Sequence, residues 1–389
     1  METVQQGILT LIKSAVLGEK LPLPEDFRLE EADGLIRKHS LVALCYEGAF
    51  LCGIDRAEPL MRQYFSFCCK NLMVSEAQLS QANRIFTAFE ENGIDYLPLK
   101  GVNMKKRYPK PELRVMGDAD ILIRMEHYEK IIPIMEKLGF VQGEETDHEL
   151  HWHSKGLFVE LHKRLIPSYN LDYAAYYGDG WQLARKREGC RYSMTTEDEW
   201  IYLFSHFAKH YRDGGIGCRH VTDLWVYLRA NPEMDMVYVE AELEKLQLLQ
   251  FHGNILRLLS AWFEDAAMDE KTEFITQYIF AAGNFGQFEN RVLSSGIKGL
   301  KTTGNVAGER RKRWQEALIP GHEIIDDQYP VLKEHPKLLP VFWVVRIFDK
   351  MLFQQDVVRR RYRSMKVLTR DKLDSHQAAL NYVGLDYNF

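Results

Sequence analysis

The stretch Gly117-Asp118-Ala119-Asp120-Ile121-Leu122-Ile123 places two carboxylates one residue apart at the head of an apolar run. An apolar run of this length, with branched aliphatics, reads as a strand. On a strand, residues i and i+2 share a face. Asp118 and Asp120 therefore project together, while Ala119, Ile121 and Ile123 face a core. Acids are poor strand formers, and two on one face repel unless a cation neutralises them. A second apolar run, Val159-Glu160-Leu161-His162, carries one acid in its middle. If the two strands are neighbours, three carboxylates converge. Hard divalent cations take such oxygen clusters, Mg²⁺ typically with substrate phosphates as further ligands. Two such ions roughly 4 Å apart can align a nucleophile with a leaving phosphate.

Composition narrows the setting. The chain is 46% hydrophobic and 27% charged over 389 residues, enough for two or three domains with true cores. Its net charge of −5 argues against a general nucleic-acid binder. Six cysteines without a C-x-x-C pair make neither a disulfide framework nor a zinc ribbon, and fit a reducing compartment. The first residues lack a basic and apolar leader pattern. The most apolar late stretch, Pro340 to Phe353, is interrupted by Arg346, Asp349 and Lys350, and is too short to span a bilayer. The expectation is a cytoplasmic protein with neither a membrane nor nucleic acid as partner.

Three regions are expected. Residues 1–75 read as an N-terminal helical region, with buried helices over 33–53 and 59–73. Residues 76–190 read as a catalytic core. It opens on an amphipathic helix over 76–92 stopped by Gly93. A short strand over 94–99 then runs into a turn at Lys100-Gly101. The acid-pair strand follows, then a helix over 126–138 stopped by Gly139, then strands near 140–142, 149–153 and 157–165. The order is α-β-α-β-α-β-β-β, an α+β arrangement with helices on one side of a small mixed sheet. Residues 191–389 read as a C-terminal helical domain. Thr195 has the character of an N-cap, and further helices are expected over 200–211, 219–229, 237–249 and 254–263.

Taken in order, Leu99-Lys100-Gly101, Tyr108-Pro109, Arg114, Gly117 to Ile123, Gly139-Phe140 and Val159 to His162 resemble the uncharacterised nucleotidyltransferase family of the DNA polymerase beta-like superfamily. The resemblance covers roughly residues 80–230. It implies Asp118, Asp120 and Glu160 as catalytic residues and metal ligands, with Mg²⁺, or Mn²⁺ in its place. It also implies transfer of a nucleoside monophosphate from an NTP to a hydroxyl acceptor on a small molecule or protein. Lys100, Gly101, Arg114 and Gly117 are the candidates for holding the nucleotide. The superfamily usually grips the triphosphate at a Gly-Ser turn; here Lys100-Gly101 stands in its place, and a lysine meets phosphate as a point charge.

The remaining candidates have plainer readings beside the functional one. His151 and His153 share a strand face and, with His162, His210 and Asp223, are expected to line an acceptor pocket rather than hold zinc. Arg114 either contacts the triphosphate or pairs with a nearby acid. Asp223 faces the site or forms an i,i+4 pair with Arg219. The basic runs Arg310 to Arg313 and Arg359 to Arg363 read as solvated helix faces. Two other functions fit the acid pair: a metal-dependent glycosyltransferase using a nucleotide sugar, which needs a Rossmann-like half before the motif, and a non-catalytic, antitoxin-like binding module.

Overall fold

The computed structural model describes residues 1–389 except 285, 320, 322–324, 326–328, 330 and 387–389. The chain forms two compact units. One comprises Met1–Tyr211, Gly215–Phe285 and Val383–Phe389; the other comprises Arg212–Gly214 and Gly286–Tyr382.

The first unit begins with four helices, α1 (Thr3–Leu17), α2 (Leu29–Lys38), α3 (Val42–Cys52) and α4 (Pro59–Glu91). The region expected as one helix over 33–53 is two, because Ser40 turns the chain with φ of 57°. Conversely, the helices expected over 59–73 and 76–92 are one continuous α4. Met73-Val74-Ser75-Glu76 holds no Gly or Pro to interrupt the backbone ladder.

The sheet has five strands: β1 (Tyr96–Pro98), β2 (Asp118–Ile123), β3 (Val141–Glu145), β4 (Glu149–Ser154) and β5 (Leu157–His162). Their order is β1-β2-β5-β4-β3. Only β2 and β5 run parallel; the other pairs are antiparallel. A parallel pair needs a crossover, and the chain supplies one through α6 (Tyr128–Lys137), β3 and β4. Gly139, with φ of +87°, ends that helical segment, as its sequence position predicts.

One face of this sheet is apolar. Ala119, Ile121, Trp152, Val159 and Leu161 are buried against Ile85 and Phe89 of α4 and Ile131 and Met135 of α6. Burying each large side chain of this kind is worth about 1.5–3 kcal/mol. The period-2 alternation then forces Asp118, Asp120, Glu160, His162, Glu149, His151 and His153 onto the other face. The sheet was expected to have helices on one side. Instead α8 (Thr196–Asp213) brings His206 to Lys100 beside Asp120, so the polar face is also partly covered. Thr195 caps α8 as its sequence suggests, its hydroxyl accepting from the Asp198 N–H at 3.1 Å.

Lys100 and Gly101 do not form an open turn. They are the first two residues of a short helix, α5 (Lys100–Lys105), between β1 and β2. Gly101 lies against β2: a Cβ placed on it would sit 2.7 Å from the Asp118 carbonyl oxygen. The unit continues with α7 (Leu171–Tyr177), α8, α9 (Cys218–Ala230), α10 (Met236–Lys245), α11 (Leu249–Phe263) and α12 (Glu270–Ala282). α10 ends and α11 begins earlier than expected, because Gln247 takes φ of 56° between them.

The second unit is helical: α13 (Phe288–Thr303), α14 (Val306–Leu318), α15 (Leu339–Phe353), α16 (Gln355–Val367) and α17 (Arg370–Tyr382). Leu293, Ile297, Met365, Leu373 and Leu380 are among its buried side chains. Among the described residues, no helix is long and apolar enough to cross a membrane.

The close approach at Gly101 gives a direct test. Gly101→Val should destabilise the protein by about 1–3 kcal/mol, because β2 cannot retreat without disturbing its neighbours. Urea unfolding followed by circular dichroism checks this; an unchanged midpoint would show that the contact does not constrain the fold.

Candidate active site

The acid cluster arises from strand register. Asp120 stands directly opposite Glu160, and Leu122 opposite His162, across the parallel β2–β5 pair. On the far side of β5, His151 stands opposite Glu160 and Glu149 opposite His162. The donor atoms of Asp120, Glu160 and His162 lie within 4.8 Å of one another, as do those of Glu149, His151 and Glu160. Asp118 shares the face of Asp120 one step up the strand but is not in either group.

The chain itself neutralises this cluster. The Lys100 ammonium sits 2.9 Å from Asp120 Oδ1. His162 Nε2 approaches the same oxygen at 3.1 Å, Glu160 at 3.6 Å and Glu149 at 3.9 Å. Burial opposes the charge on Asp120, but Lys100 and His162 outweigh it and hold the carboxyl well below the usual range. Burial likewise opposes charge on His162, yet its hydrogen bond to Asp120 and the nearby Glu160 carboxylate raise it to about 9. For Asp118 the balance tips the other way: burial, and then the Asp120 charge, outweigh the more distant Lys100 and Arg219 and push it up to about 6. At neutral pH the cluster thus holds two cations, Lys100 and His162, among the carboxylates.

Lys100 is fixed from behind. Its ammonium lies 3.1 Å from His206 Nε2, and His210 Nε2 lies 3.0 Å from the same atom. Burial, followed by the Lys100 charge and His210, drives His206 well below its ordinary pKa. A neutral His206 accepts from Lys100 at Nε2, which puts its own proton on Nδ1. His210 therefore reaches the cluster through His206 and Lys100.

Arg114 and Asp223 form a second buried arrangement. The guanidinium meets the carboxylate through two bonds, Nε to Oδ1 at 2.8 Å and Nη2 to Oδ2 at 2.9 Å. The Tyr108 hydroxyl donates to the same carboxylate at 2.8 Å. Of the two readings open for Arg114, the structure shows the pairing with an acid. It also shows that the Arg219–Asp223 alternative does not form. Arg219 donates instead to Asn284 Oδ1 and to the Val115 carbonyl, both at 3.1 Å. Tertiary packing brings Arg114 to Asp223 in a fork geometry that an i,i+4 helix pair cannot match. Gly117 immediately precedes β2, with open space where its Cβ would be.

The histidines separate. His151 bonds Glu149 at 2.9 Å and packs against Phe158. His153, opposite Phe158, is exposed and lies outside both donor groups. Glu149 was not picked out from the sequence. Hydrogen bonds from His148 and His151 overcome its burial and lower it to about 2. Its signal was present, since it lies two residues before His151 on the same strand face. Tyr202, whose ring centre lies 5.9 Å from the Lys100 ammonium, and His206 come from α8, and Arg219 from α9; nothing local marks them as site residues, because packing of distant segments brings these helices to the sheet.

The matching family model is that of an uncharacterised nucleotidyltransferase, over residues 25–264. That is more than half of the chain, and the protein belongs to this family. No curated protein sequence matches the chain. Two solved structures share limited similarity. A solution structure of the antibiotic-resistance factor ANT(2'')-Ia is 15% identical, covering 47% of this chain and 96% of that one at a TM-score of 0.32. A crystal structure of ANT(2'')-Ia with adenylyl-2''-tobramycin is 14% identical, covering 44% and 97% at a TM-score of 0.33. Residues 1–91 form four helices and no strand, so no Rossmann-like half precedes the acid pair, as the glycosyltransferase reading requires.

His162 makes the site's electrostatics measurable. Its folded pKa of about 9 lies above its ordinary 6.5. Its stabilising contribution is therefore complete below about pH 6.5 and lost as the pH rises through about 9. His162→Gln should lower the thermal midpoint most below about pH 6.5, and the gap from wild type should close above about pH 9. A gap that widens with pH would mean that His162 is neutral in the fold.

Proposed function

We propose that this nucleotidyltransferase moves a nucleoside monophosphate from an NTP to a hydroxyl of a small molecule or protein, releasing pyrophosphate, with Mg²⁺ or Mn²⁺ bound at the acid cluster. The observation that carries this reading is the β2–β5 register, which sets Asp120 beside Glu160 with Asp118 on the same face.

The donor set fits a hard divalent cation. Asp118, Asp120 and Glu160 offer carboxylate oxygens from two adjacent strands, the ligand type that Mg²⁺ and Mn²⁺ prefer. Such a cation supplies Lewis-acid polarisation of the α-phosphate and eases ionisation of the attacking hydroxyl. The remaining work falls to the chain. Glu160 is the better base for the hydroxyl proton, since Lys100 and His162 already occupy Asp120. The acceptor oxygen bonds to the α-phosphorus as the bond to the bridging oxygen of pyrophosphate breaks. Were a cation held by Asp120, the Lys100 ammonium would be free to meet phosphate oxygens and to oppose the charge that builds on the leaving group. His206 keeps Lys100 at the site through its neutral Nε2. The Arg114–Asp223 fork ties the loop before β2 to α9 and so holds Asp118 in place.

Calorimetry with ATP, GTP, CTP and UTP tests this. At least one should bind in an Mg²⁺-dependent way, and Asp120→Asn should weaken that binding about tenfold or more. If the wild type binds no NTP in the presence of Mg²⁺ or Mn²⁺, the reading fails.

A further inference from the structure

The two basic runs have no part in this chemistry, and both lie in the second unit. Residues 286–382 carry 18 Lys and Arg against 11 Asp and Glu, a cationic excess in a chain whose net charge is −5. The rest of the chain therefore holds more than the whole acidic surplus. Such segregation of charge points to a partner for the basic part.

The same unit has an apolar helix face turned to solvent. On α15, Val341, Val344, Val345, Phe348, Met351 and Leu352 are all exposed; Phe348 is 60% and Leu352 65% accessible. Their spacing of three and four residues makes one continuous stripe. Scattered exposed apolar residues are ordinary, but an unbroken stripe of this kind marks an interaction site. The opposite side of α15 carries Arg346, which is buried, and Lys350.

The next helix is the more basic one. On α16, Arg359, Arg360, Arg363 and Lys366 are exposed, and the half-exposed Tyr362 lies beneath the Lys366 ammonium at 4.9 Å. Lys350 of α15 lies within electrostatic reach of Arg361 on α16. Burial, then repulsion from Arg346 and Arg361, lowers the pKa of Lys350. α14 repeats the pattern on a smaller scale, with exposed Arg311 and Lys312 on the same helix as exposed Trp314 and Leu318.

We infer that the second unit docks on an anionic lipid surface, with the α15 stripe in the interfacial layer and the α16 arginines on lipid headgroups. An apolar helix stripe with exposed lysine and arginine in the same unit is the composition that interfacial anchoring uses. Each basic residue near an anionic leaflet adds electrostatic attraction that salt screens. α15 has 15 residues, about three-quarters of the length that the hydrocarbon core demands, so it lies on the surface rather than spanning it. The sequence argument against a membrane partner concerned spanning, and a surface-lying helix does not need that length. A second copy of the chain fits less well, because two units that each carry a cationic excess repel. Nucleic acid satisfies the arginines but leaves the aliphatic stripe in water.

Vesicle co-sedimentation of the full-length protein tests this. Vesicles of phosphatidylcholine with phosphatidylglycerol should retain it, those of phosphatidylcholine alone should not, and added salt should weaken retention. Phe348→Ser with Leu352→Ser should reduce retention about tenfold or more, as should Arg359→Glu with Arg363→Glu. All four side chains are exposed, and thermal midpoints equal to wild type confirm that the variants fold. No retention on anionic vesicles overturns the proposal. So does a concentration-dependent dimer in light scattering that Phe348→Ser abolishes, which would assign the stripe to a second copy. Heparin or RNA binding that needs the arginines but not Phe348, without vesicle binding, overturns it too. None of these readouts depends on nucleotide binding.

Discussion

The parallel pairing of β2 with β5 is the constraint from which the rest of the first unit follows. Its register sets Asp120 against Glu160, and the core beneath leaves no freedom to slip. A shift of one residue would turn Ile121 and Val159 toward the polar face and drive the acids into the side packed on α4 and α6. The stability of the apolar face therefore sets the geometry of the polar one. The crowding of carboxylates on that face is a cost imposed by packing on the other.

The chain meets that cost with its own cations. Lys100 and His162 both reach Asp120 Oδ1, which concentrates positive charge at a single carboxylate. Asp118 is left with a raised pKa and Glu160 with only a distant approach from His162. In this arrangement the counter-charges of Asp120 come from the chain itself. A buried charge that loses its partner costs several kcal/mol, and this explains why Lys100 is supported in turn by a neutral His206. The second unit follows a different logic. Its cationic excess is not internally balanced, and its apolar stripe is not buried.

Much of the core was legible from local pattern. The acid-pair strand, the Glu160 strand, the stop at Gly139 and the cap at Thr195 each follow from features within a few residues. Alternation alone placed Asp118 with Asp120 and His151 with His153. The errors have equally local causes. Ser40 and Gln247 take left-handed conformations that no Gly or Pro announces. α4 runs unbroken because no residue between 59 and 91 opposes a helix after its first turn. Lys100-Gly101 reads as a turn but opens a helix, since glycine there serves the close approach to Asp118 rather than a bend.

By itself, the sequence determined which residue types share a strand face, where most helices stop, and that a cation must answer the paired aspartates. It did so because the strand period and the rules of capping act over two to four residues. Only the tertiary structure decided which cation answers: Lys100 from 20 positions before Asp120 and His162 from 42 after it. It likewise gave Asp223 to Arg114 rather than to Arg219, four residues away on its own helix. Those partners are chosen by how the sheet, α8 and α9 pack, and a buried ion pair forms where geometry is best, not where the chain is nearest.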